Sequence, residues 1–475
     1  MGKTYSAVFR DVLKNVKPTP EQRKQLLGLA NKTLRLTNSA ARRYKAKAMF
    51  AGSITRDTWL PDKMEFDVFI LFPESIKDKK MEENGLAVGK KVVEQLGGEV
   101  SVAYAEHPYV SGLVEGIDID IVPCFAVKSA EKIKSAVDRT PFHVHYIEKH
   151  LPFRLSSDVR LLKKFLKSNG MYGADAKTEG FSGYVCELLV IQYNGVLGVL
   201  KAAEKWKPSE VIDLANQKSD KEKIAKEFTH QSLILIDPTD KNRNTAAALS
   251  AYNFYKFKKV AREFLHKPNE GMFFDKPLQT ITQNELMQYQ TKRGTELLFV
   301  KFLPPRVVDD ILWQQLRKFG ERLQSILEET QYEFRVLGRD VFSDGKFIAV
   351  VLLEMEVAHL PAIQKRVGPT IFDQKDSAEF LKKYKEAVLA GPYVEGNRWT
   401  VEIQRKFLSA KNKLQDTLKD TQEILKAKGI PNFIADQLTK EFEVFSENER
   451  IMQAIERNPD FGNFIRKYFE KEKLV

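Results

Sequence analysis

Gly52-Ser53-Ile54-Thr55-Arg56-Asp57-Thr58-Trp59-Leu60, followed shortly by Glu65-Phe66-Asp67-Val68-Phe69-Ile70-Leu71-Phe72-Pro73, is the stretch whose reading decides the fold. Side chains two apart on a strand share a face. Glu65 and Asp67 therefore project together, while Phe66, Val68 and Ile70 pack the other side. Two carboxylates at the start of a strand suit a hard cation. Mg²⁺ prefers a few carboxylates, several waters and substrate phosphates to a closed protein cage. A further acid stands in Ile117-Asp118-Ile119-Asp120-Ile121-Val122-Pro123, where alternation puts Asp118 and Asp120 on one face and the isoleucines on the other. Three acids on adjacent strands make a two-metal site for in-line phosphoryl transfer. Alternating acids and apolar residues also describe any half-exposed strand. The combination with Gly-Ser upstream and an acidic strand downstream turns the reading toward metal.

Gly52 lets backbone N–H groups approach phosphate oxygens, and the Ser53 hydroxyl can donate to them. Arg56 adds a charged fork for phosphate.

Outward from this stretch, residues 7–16 and 19–39 read as helices punctuated by Pro18 and Pro20. Ala46–Phe50, Glu65–Phe72, Glu99–Glu106 and Ile117–Phe125 read as strands, with a helix at about 84–96 ending at Gly97-Gly98. This is a small α/β domain. Residues 147–265 read as mostly helical, with Asp158–Asn169 and Ser182–Trp206 as runs, and 266–290 as a connection. A β-α-β-β signature follows: strand Leu297–Leu303, helix Val307–Glu329, then strands Tyr332–Phe342 and Phe347–Val357 joined at Ser343-Asp344-Gly345-Lys346. Residues 371–475 read as largely helical, with long charged helices at Leu408–Lys428 and Phe442–Lys471.

The 475 residues are too many for one ordinary core, and 43% hydrophobic with 29% charged residues is a globular balance. No stretch approaches the roughly 20 apolar residues of a membrane span. Met1–Tyr5 begins no signal peptide, and Cys124 and Cys186 in apolar runs read as buried thiols of a reducing cytoplasm. A net charge of +12 favours a polyanionic partner.

Gly-Ser followed by Glu-x-Asp and a distal Asp resembles the polymerase-beta-like nucleotidyltransferase superfamily. Longer strings are similar to the archaeal, class I CCA-adding tRNA nucleotidyltransferases. They are Ala105–Val110, Asp120-Ile121-Val122-Pro123-Cys124, Ser135–His143, Arg160–Lys163, Asn169–Ala174, Gly180–Tyr184, Asp237-Pro238, Arg243-Asn244 and Arg366–Pro369. The similarity is strong over about residues 45–260 and weaker to about 400; Ser135–His143 is its most specific part.

The resemblance implies Glu65, Asp67 and Asp120 as catalytic metal ligands for two Mg²⁺, and nucleotide contacts by Ser53, Arg56, His143, Lys163 and Tyr172. Arg243 matches an arginine that helps read the incoming base without a template. The implied fold class is multidomain α+β. A mixed-sheet head (1–147) precedes a helical neck (148–268), then a split β-α-β body with a helical tail (269–475) that grips the top half of tRNA. The implied reaction adds C, C and A to a tRNA 3′ end from CTP and ATP, in the cytoplasm, with a homodimer possible. The rivals are a poly(A)-type or other short-tail RNA polymerase and an inactive RNA-binding relative.

Several residues carry plainer readings. Arg160, Lys163 and Lys167 lie on one helix face, ordinarily a solvated stripe; the resemblance lifts only Lys163 out of it. His143-Val144-His145 lacks further ligands and predicts no structural metal. Arg243 also reads as a helix-start residue and Tyr172 as packing, while Trp399 reads as a core aromatic ahead of an RNA-stacking surface.

Overall fold

The computed structural model describes residues 3–104, 106–218, 220–277, 279–386, 388–471 and 473–474, so Ala105 of the Ala105–Val110 string lies outside the described residues. The chain forms two compact units, Met1–Pro277 with Lys473–Val475, and Leu278–Glu472.

The first unit opens with α1 (Tyr5–Val16) and α2 (Pro20–Ala41). Thr19 and Gln22 form a reciprocal capping box, and Pro20 occupies the first helical position, where a missing N–H costs nothing. Then come β1 (Lys47–Ala51), β2 (Glu65–Phe72), α3 (Asp78–Gln95), β3 (Glu99–Tyr104), β4 (Pro108–Val114) and β5 (Ile117–Phe125). They make a five-stranded sheet of order β1-β2-β5-β4-β3, in which only the β2–β5 pair is parallel. Leu26, Leu29 and Ala30 of α2 and Val88 and Val92 of α3 cover one face, burying Phe66, Val68, Ile70, Ile119 and Ile121. The acids alternate onto the other face, as the sequence predicts. β4 was not foreseen, and α3 begins six residues before the expected helix.

The unit continues with α4 (Thr140–His150), α5 (Ser156–Ser168), α6 (Gly183–Tyr193), α7 (Val196–Lys205), β6 (Glu210–Ile212), α8 (Lys221–Glu227), β7 (Leu233–Asp237), β8 (Asp240–Asn244) and α9 (Ala251–His266). Val8 and Val12 of α1, Phe165 of α5, Leu188 and Leu189 of α6, and Phe254, Phe257 and Phe264 of α9 share one core. The run Ser182–Trp206 is two helices bent by 91°, not one. Asn194 (φ 52°) and Gly195 (φ 126°) end α6 in a left-handed turn, and Asp158 accepts the N–H of Val196 at the start of α7. Among the described residues no single helix is long and apolar enough to cross a membrane. The mostly helical reading of 147–265 also missed the sheet β6-β7-β8, whose central strand, Leu233–Asp237, is buried throughout. Arg243 accordingly sits in a strand rather than at a helix start.

The second unit comprises α10 (Gln283–Arg293), β9 (Glu296–Phe302), α11 (Asp309–Leu327), β10 (Arg335–Ser343), β11 (Ala349–Val357), β12 (Ile363–Thr370), α12 (Gln374–Lys383), β13 (Ala390–Glu395), β14 (Arg398–Gln404), α13 (Ala410–Leu418), α14 (Gln422–Ala427), α15 (Asn432–Leu438), β15 (Phe442–Phe445), α16 (Asn448–Arg457) and α17 (Pro459–Phe469). The β9-α11-β10-β11 order and its hairpin stand as predicted: Asp344 Oδ1 accepts three successive backbone N–H groups and Gly345 takes φ 73°. β15 adds to β9, giving an antiparallel sheet of order β10-β11-β9-β15.

Five readings differ here. The supposed connection 266–290 contains the start of α10, launched by a Thr282–Glu285 capping box. The region after 371, expected to be largely helical, carries β13 and β14, which with β12 form a second sheet, and also β15. Leu408–Lys428 is broken between α13 and α14, where Thr421 stands at a new N-cap, and Pro459 opens α17 within the second expected helix. Trp399 is a half-buried residue of β14.

Candidate active site

The acids stand on the uncovered face of the first sheet. Parallel register sets Asp67 opposite Asp120 and Glu65 opposite Asp118. Further along the same face of β2, Phe69 is buried with Val122 beneath Val144 of α4. The helix thus covers the far half of this face and leaves the acidic half open. Burial, with the negative charges of Asp120 and Glu65, pushes the Asp67 carboxyl up to about 7. Asp120 is raised too, by burial and then by Glu65 and Asp118, against a lowering hydrogen bond from Ser111. Lys63 is a cation at hand, its Nζ 2.5 Å from Glu65 Oε2.

Among the described residues no three acidic or thiol-imidazole side chains stand together as a ready cation cage. The pair Asp67–Asp120 nevertheless fits a divalent cation. Both offer hard oxygen donors, and their mutual repulsion is what a bound cation relieves.

Ala51 pairs with Asp67, so the following 3-10 turn, Gly52–Arg56, lies beside the acids. Gly52 is needed twice: its φ is 69°, and a Cβ there would fall 2.4 Å from Asp67 Oδ2. The Ser53 carbonyl accepts the N–H of Thr58 and closes the turn.

Below this turn lies a charged cluster. Arg56 donates from Nε and Nη2 to the two oxygens of Glu187 (3.1 and 2.9 Å) and from Nη1 to Thr55 Oγ1 (2.6 Å). Thr58 Oγ1 also donates to Glu187 (2.7 Å). The fork expected for phosphate is therefore docked on a carboxylate whose side chain is only 2% exposed. Lys163 is buried, donates to the Thr58 carbonyl (3.1 Å), and has its pKa lowered by that burial. A Cβ on Gly183 would meet Tyr172 Oη at 3.2 Å and Lys163 Nζ at 3.6 Å. Lys163 and Tyr172 therefore converge on the N-terminus of α6, whose dipole suits an anion. The stripe of α5 divides: Arg160 is buried with its Nη2 2.6 Å from Asp57 Oδ2, contrary to the solvated reading, whereas Lys167 meets Asp62 in the open.

A third group forms around Asp237, at the end of β7. His143 Nε2 (2.8 Å) and Arg243 Nη1 (2.9 Å) both bond its Oδ2, and the His143 ring stacks on Tyr184 at 4.1 Å. Burial would push this carboxyl up, but the His143 hydrogen bond and the Thr239 donors hold it far below the usual range.

The predicted residues thus fall into three groups: Glu65, Asp67 and Asp120 with Ser53 beside them; Arg56, Lys163 and Tyr172; and His143 with Arg243. Glu187 and Asp237, which tie the second and third groups together, were given no role from sequence. One signal was present: Glu187 is the lone charge in an otherwise apolar helix.

Residues 34–143 match the nucleotidyltransferase domain, which gives the class of protein to which the sheet and its paired acids belong. The match continues with the second domain of tRNA nucleotidyltransferase over residues 157–274 and the C-terminal domain of CCA-adding enzyme over 293–447, well past the last string noted in the sequence. The CCA-adding enzyme of Methanosarcina acetivorans is 36% identical, spanning 96% of this chain and 97% of its own. That of Archaeoglobus fulgidus is 38% identical over 76% and 78%, and that of Methanothermobacter thermautotrophicus 34% over 89% and 90%. The chain belongs to the archaeal CCA-adding enzyme family of tRNA nucleotidyltransferases.

Proposed function

We propose that this chain adds C, C and A to the 3′ end of tRNA, consuming CTP and ATP and releasing pyrophosphate. The observation that carries the reading is the side-by-side pair Asp67 and Asp120, unneutralised on the open face of a nucleotidyltransferase sheet. Glu65, Asp67 and Asp120 would hold two Mg²⁺, which would supply charge neutralisation for in-line nucleotidyl transfer. Asp120 is the residue best placed to help activate the RNA 3′-hydroxyl. Ser53 and the Gly52 turn approach the phosphates. Lys163 Nζ and Tyr172 Oη orient the triphosphate against the N-terminus of α6, and Glu187 holds Arg56 fixed beneath the turn.

Arg243 reads the base. A guanidinium carries only donors. Cytosine and adenine offer a ring-nitrogen acceptor at the centre of the pairing edge, where uracil and guanine carry an N–H. Donor meets acceptor for the first pair and donor for the second. The expected division into head (1–147), neck (148–268) and body with tail (269–475) assigns catalysis, base reading and tRNA binding in that order.

The test is incubation with Mg²⁺, all four nucleoside triphosphates and a tRNA transcript ending at the discriminator base, followed by sequencing of the 3′ ends. Ends in CCA that grow no further are expected. A run of A or a mixed tail would replace the named product, and no extension would overturn the reading.

A further inference from the structure

Asp237 lies at the end of β7, and the short turn after it returns as β8, carrying Arg243 back alongside. Asp237 pairs with Asp240 across this hairpin and Ile236 with Asn244. The carboxylate is fully buried, yet five donor contacts reach it. Oδ2 takes His143 Nε2 and Arg243 Nη1. Oδ1 takes the Thr239 N–H (2.9 Å), Thr239 Oγ1 (2.7 Å) and Tyr184 Oη (3.3 Å). A second clip holds the same hairpin: Arg139, at the start of α4, donates Nε to Asp240 Oδ2 at 3.2 Å. The hairpin bearing the base reader is thereby fastened to the helix bearing His143.

Two consequences follow from the chemistry of the donors. An ionised carboxylate only accepts, so Nε2 of His143 must carry a proton and Nδ1 is the nitrogen left for another partner. Arg243 gives one of its five N–H donors to Asp237 and is still about a third exposed, so donors remain for a ligand while the Asp237 bond sets the tilt of the guanidinium. Discrimination between bases needs that tilt, because a swinging guanidinium can find an acceptor on any base.

We propose that Asp237 is the positioning residue of base selection: its Oδ2 locks Arg243 and His143 into one rigid array, whose remaining Arg243 donors accept cytosine and adenine and reject uracil and guanine. The proposal rests on the CCA-adding reading. It acts through Arg243 and His143, and Asp237 itself touches no substrate.

The test is a cycle of Asp237→Asn, Arg243→Ala and the double variant in the full-length chain, with kcat and KM for CTP, ATP and UTP on tRNA lacking its CCA end. In Asp237→Asn the amide presents donors to donors at His143 and Arg243. The KM for CTP and ATP is expected to rise about tenfold with a smaller change in kcat, and UTP misincorporation relative to CTP to rise about tenfold. The double variant should discriminate no worse than Arg243→Ala, because the two changes break one unit. A uniform fall in kcat for every nucleotide at unchanged discrimination, or losses that multiply in the double variant, would overturn the proposal.

Should Asp237→Asn not fold, Thr239→Val, which frees one holder of the carboxylate, should give the same shift at about threefold; unchanged discrimination there overturns it equally. A wild-type chain that extends no tRNA defeats the functional reading instead. The positioning claim is then decided by equilibrium binding of CTP against UTP to the same variants: a narrowed preference in Asp237→Asn sustains it, and an unchanged one ends it.

Discussion

Asp67 and Glu354 are both acids on interior strands of their sheets, one in each unit, and they live in opposite circumstances. Glu354 is fully buried on β11. It receives Arg293 through Nε and Nη2 (2.5 and 2.9 Å), the Thr295 hydroxyl (2.6 Å) and the Tyr468 hydroxyl (2.8 Å). Burial would raise its pKa, but these donors win and hold it below the ordinary value. Asp67 faces Asp120 with no such donors to offset burial, and is pushed up. The difference separates scaffold from site. An acid whose lone pairs are filled by its own chain is part of the frame, whereas an acid left to repel its neighbour is held for something that arrives from solution.

The largest effect should come from the unfilled acid. Asp67→Asn keeps the shape and removes the charge, so nucleotide incorporation is expected to fall on the order of a thousandfold or more. The melting temperature should hold or rise, since a repulsion is gone. Single-turnover incorporation and a thermal melt on the same preparation check both halves; a variant that still turns over normally would end the metal assignment.

Glu354→Ala should do the reverse. It strands Arg293, Thr295 and Tyr468 without their acceptor, at a cost of about 3 kcal/mol to the second unit, since Arg293 is partly exposed. Denaturant unfolding of the full chain would show this loss. CTP binding should stay within a few-fold of wild type, and a large loss of CTP affinity would contradict the separation.

pH sharpens the contrast by sign. Folded Asp67 keeps its proton to about pH 7, above its ordinary 3.8, so the folded state binds more protons in that window and stability falls as pH rises through it. Glu354, lowered from 4.5, contributes stability above that value that is lost as pH falls through its folded pKa. Mg²⁺ competes with the proton on Asp67. The rise in melting temperature on adding Mg²⁺ should therefore grow by a few degrees between about pH 5 and pH 8, and disappear in Asp67→Asn. A Mg²⁺ effect independent of pH would place the ion elsewhere.

The acidic face was legible because its logic is local. Alternation along Glu65–Phe72 and Ile117–Phe125 fixes which side chains share a face, and both strands have the bounds read from sequence. The filled acids were not legible, because their partners are remote. Arg56 and Glu187 are 131 residues apart, and His143 and Asp237 are 94 apart. No spacing rule reaches that far, and Asp237-Pro238 stood out only as part of a family string. Some of the missed strands have another cause. β4 and β13 carry proline and glycine, which read as loop, and β6 is only three residues long.

The smallest effect tests where the contrast stops. Lys163 and Lys167 lie one turn apart on α5, and periodicity treats them alike. Lys163 is buried against Thr58; Lys167 Nζ sits 2.9 Å from Asp62, with both side chains more than a third exposed. An ion pair that water can reach is screened and holds two long side chains at an entropic cost. Lys167→Ala should therefore shift stability by about 0.5 kcal/mol or less and leave the KM for CTP unchanged. Filling an acid's lone pairs is thus informative only when the acid is buried: Asp62 is partnered and nearly inert, Glu354 is partnered and structural, and only exclusion from solvent makes the difference between them. A KM rise of several-fold in Lys167→Ala would extend the nucleotide site along the open face of α5 and dissolve that boundary.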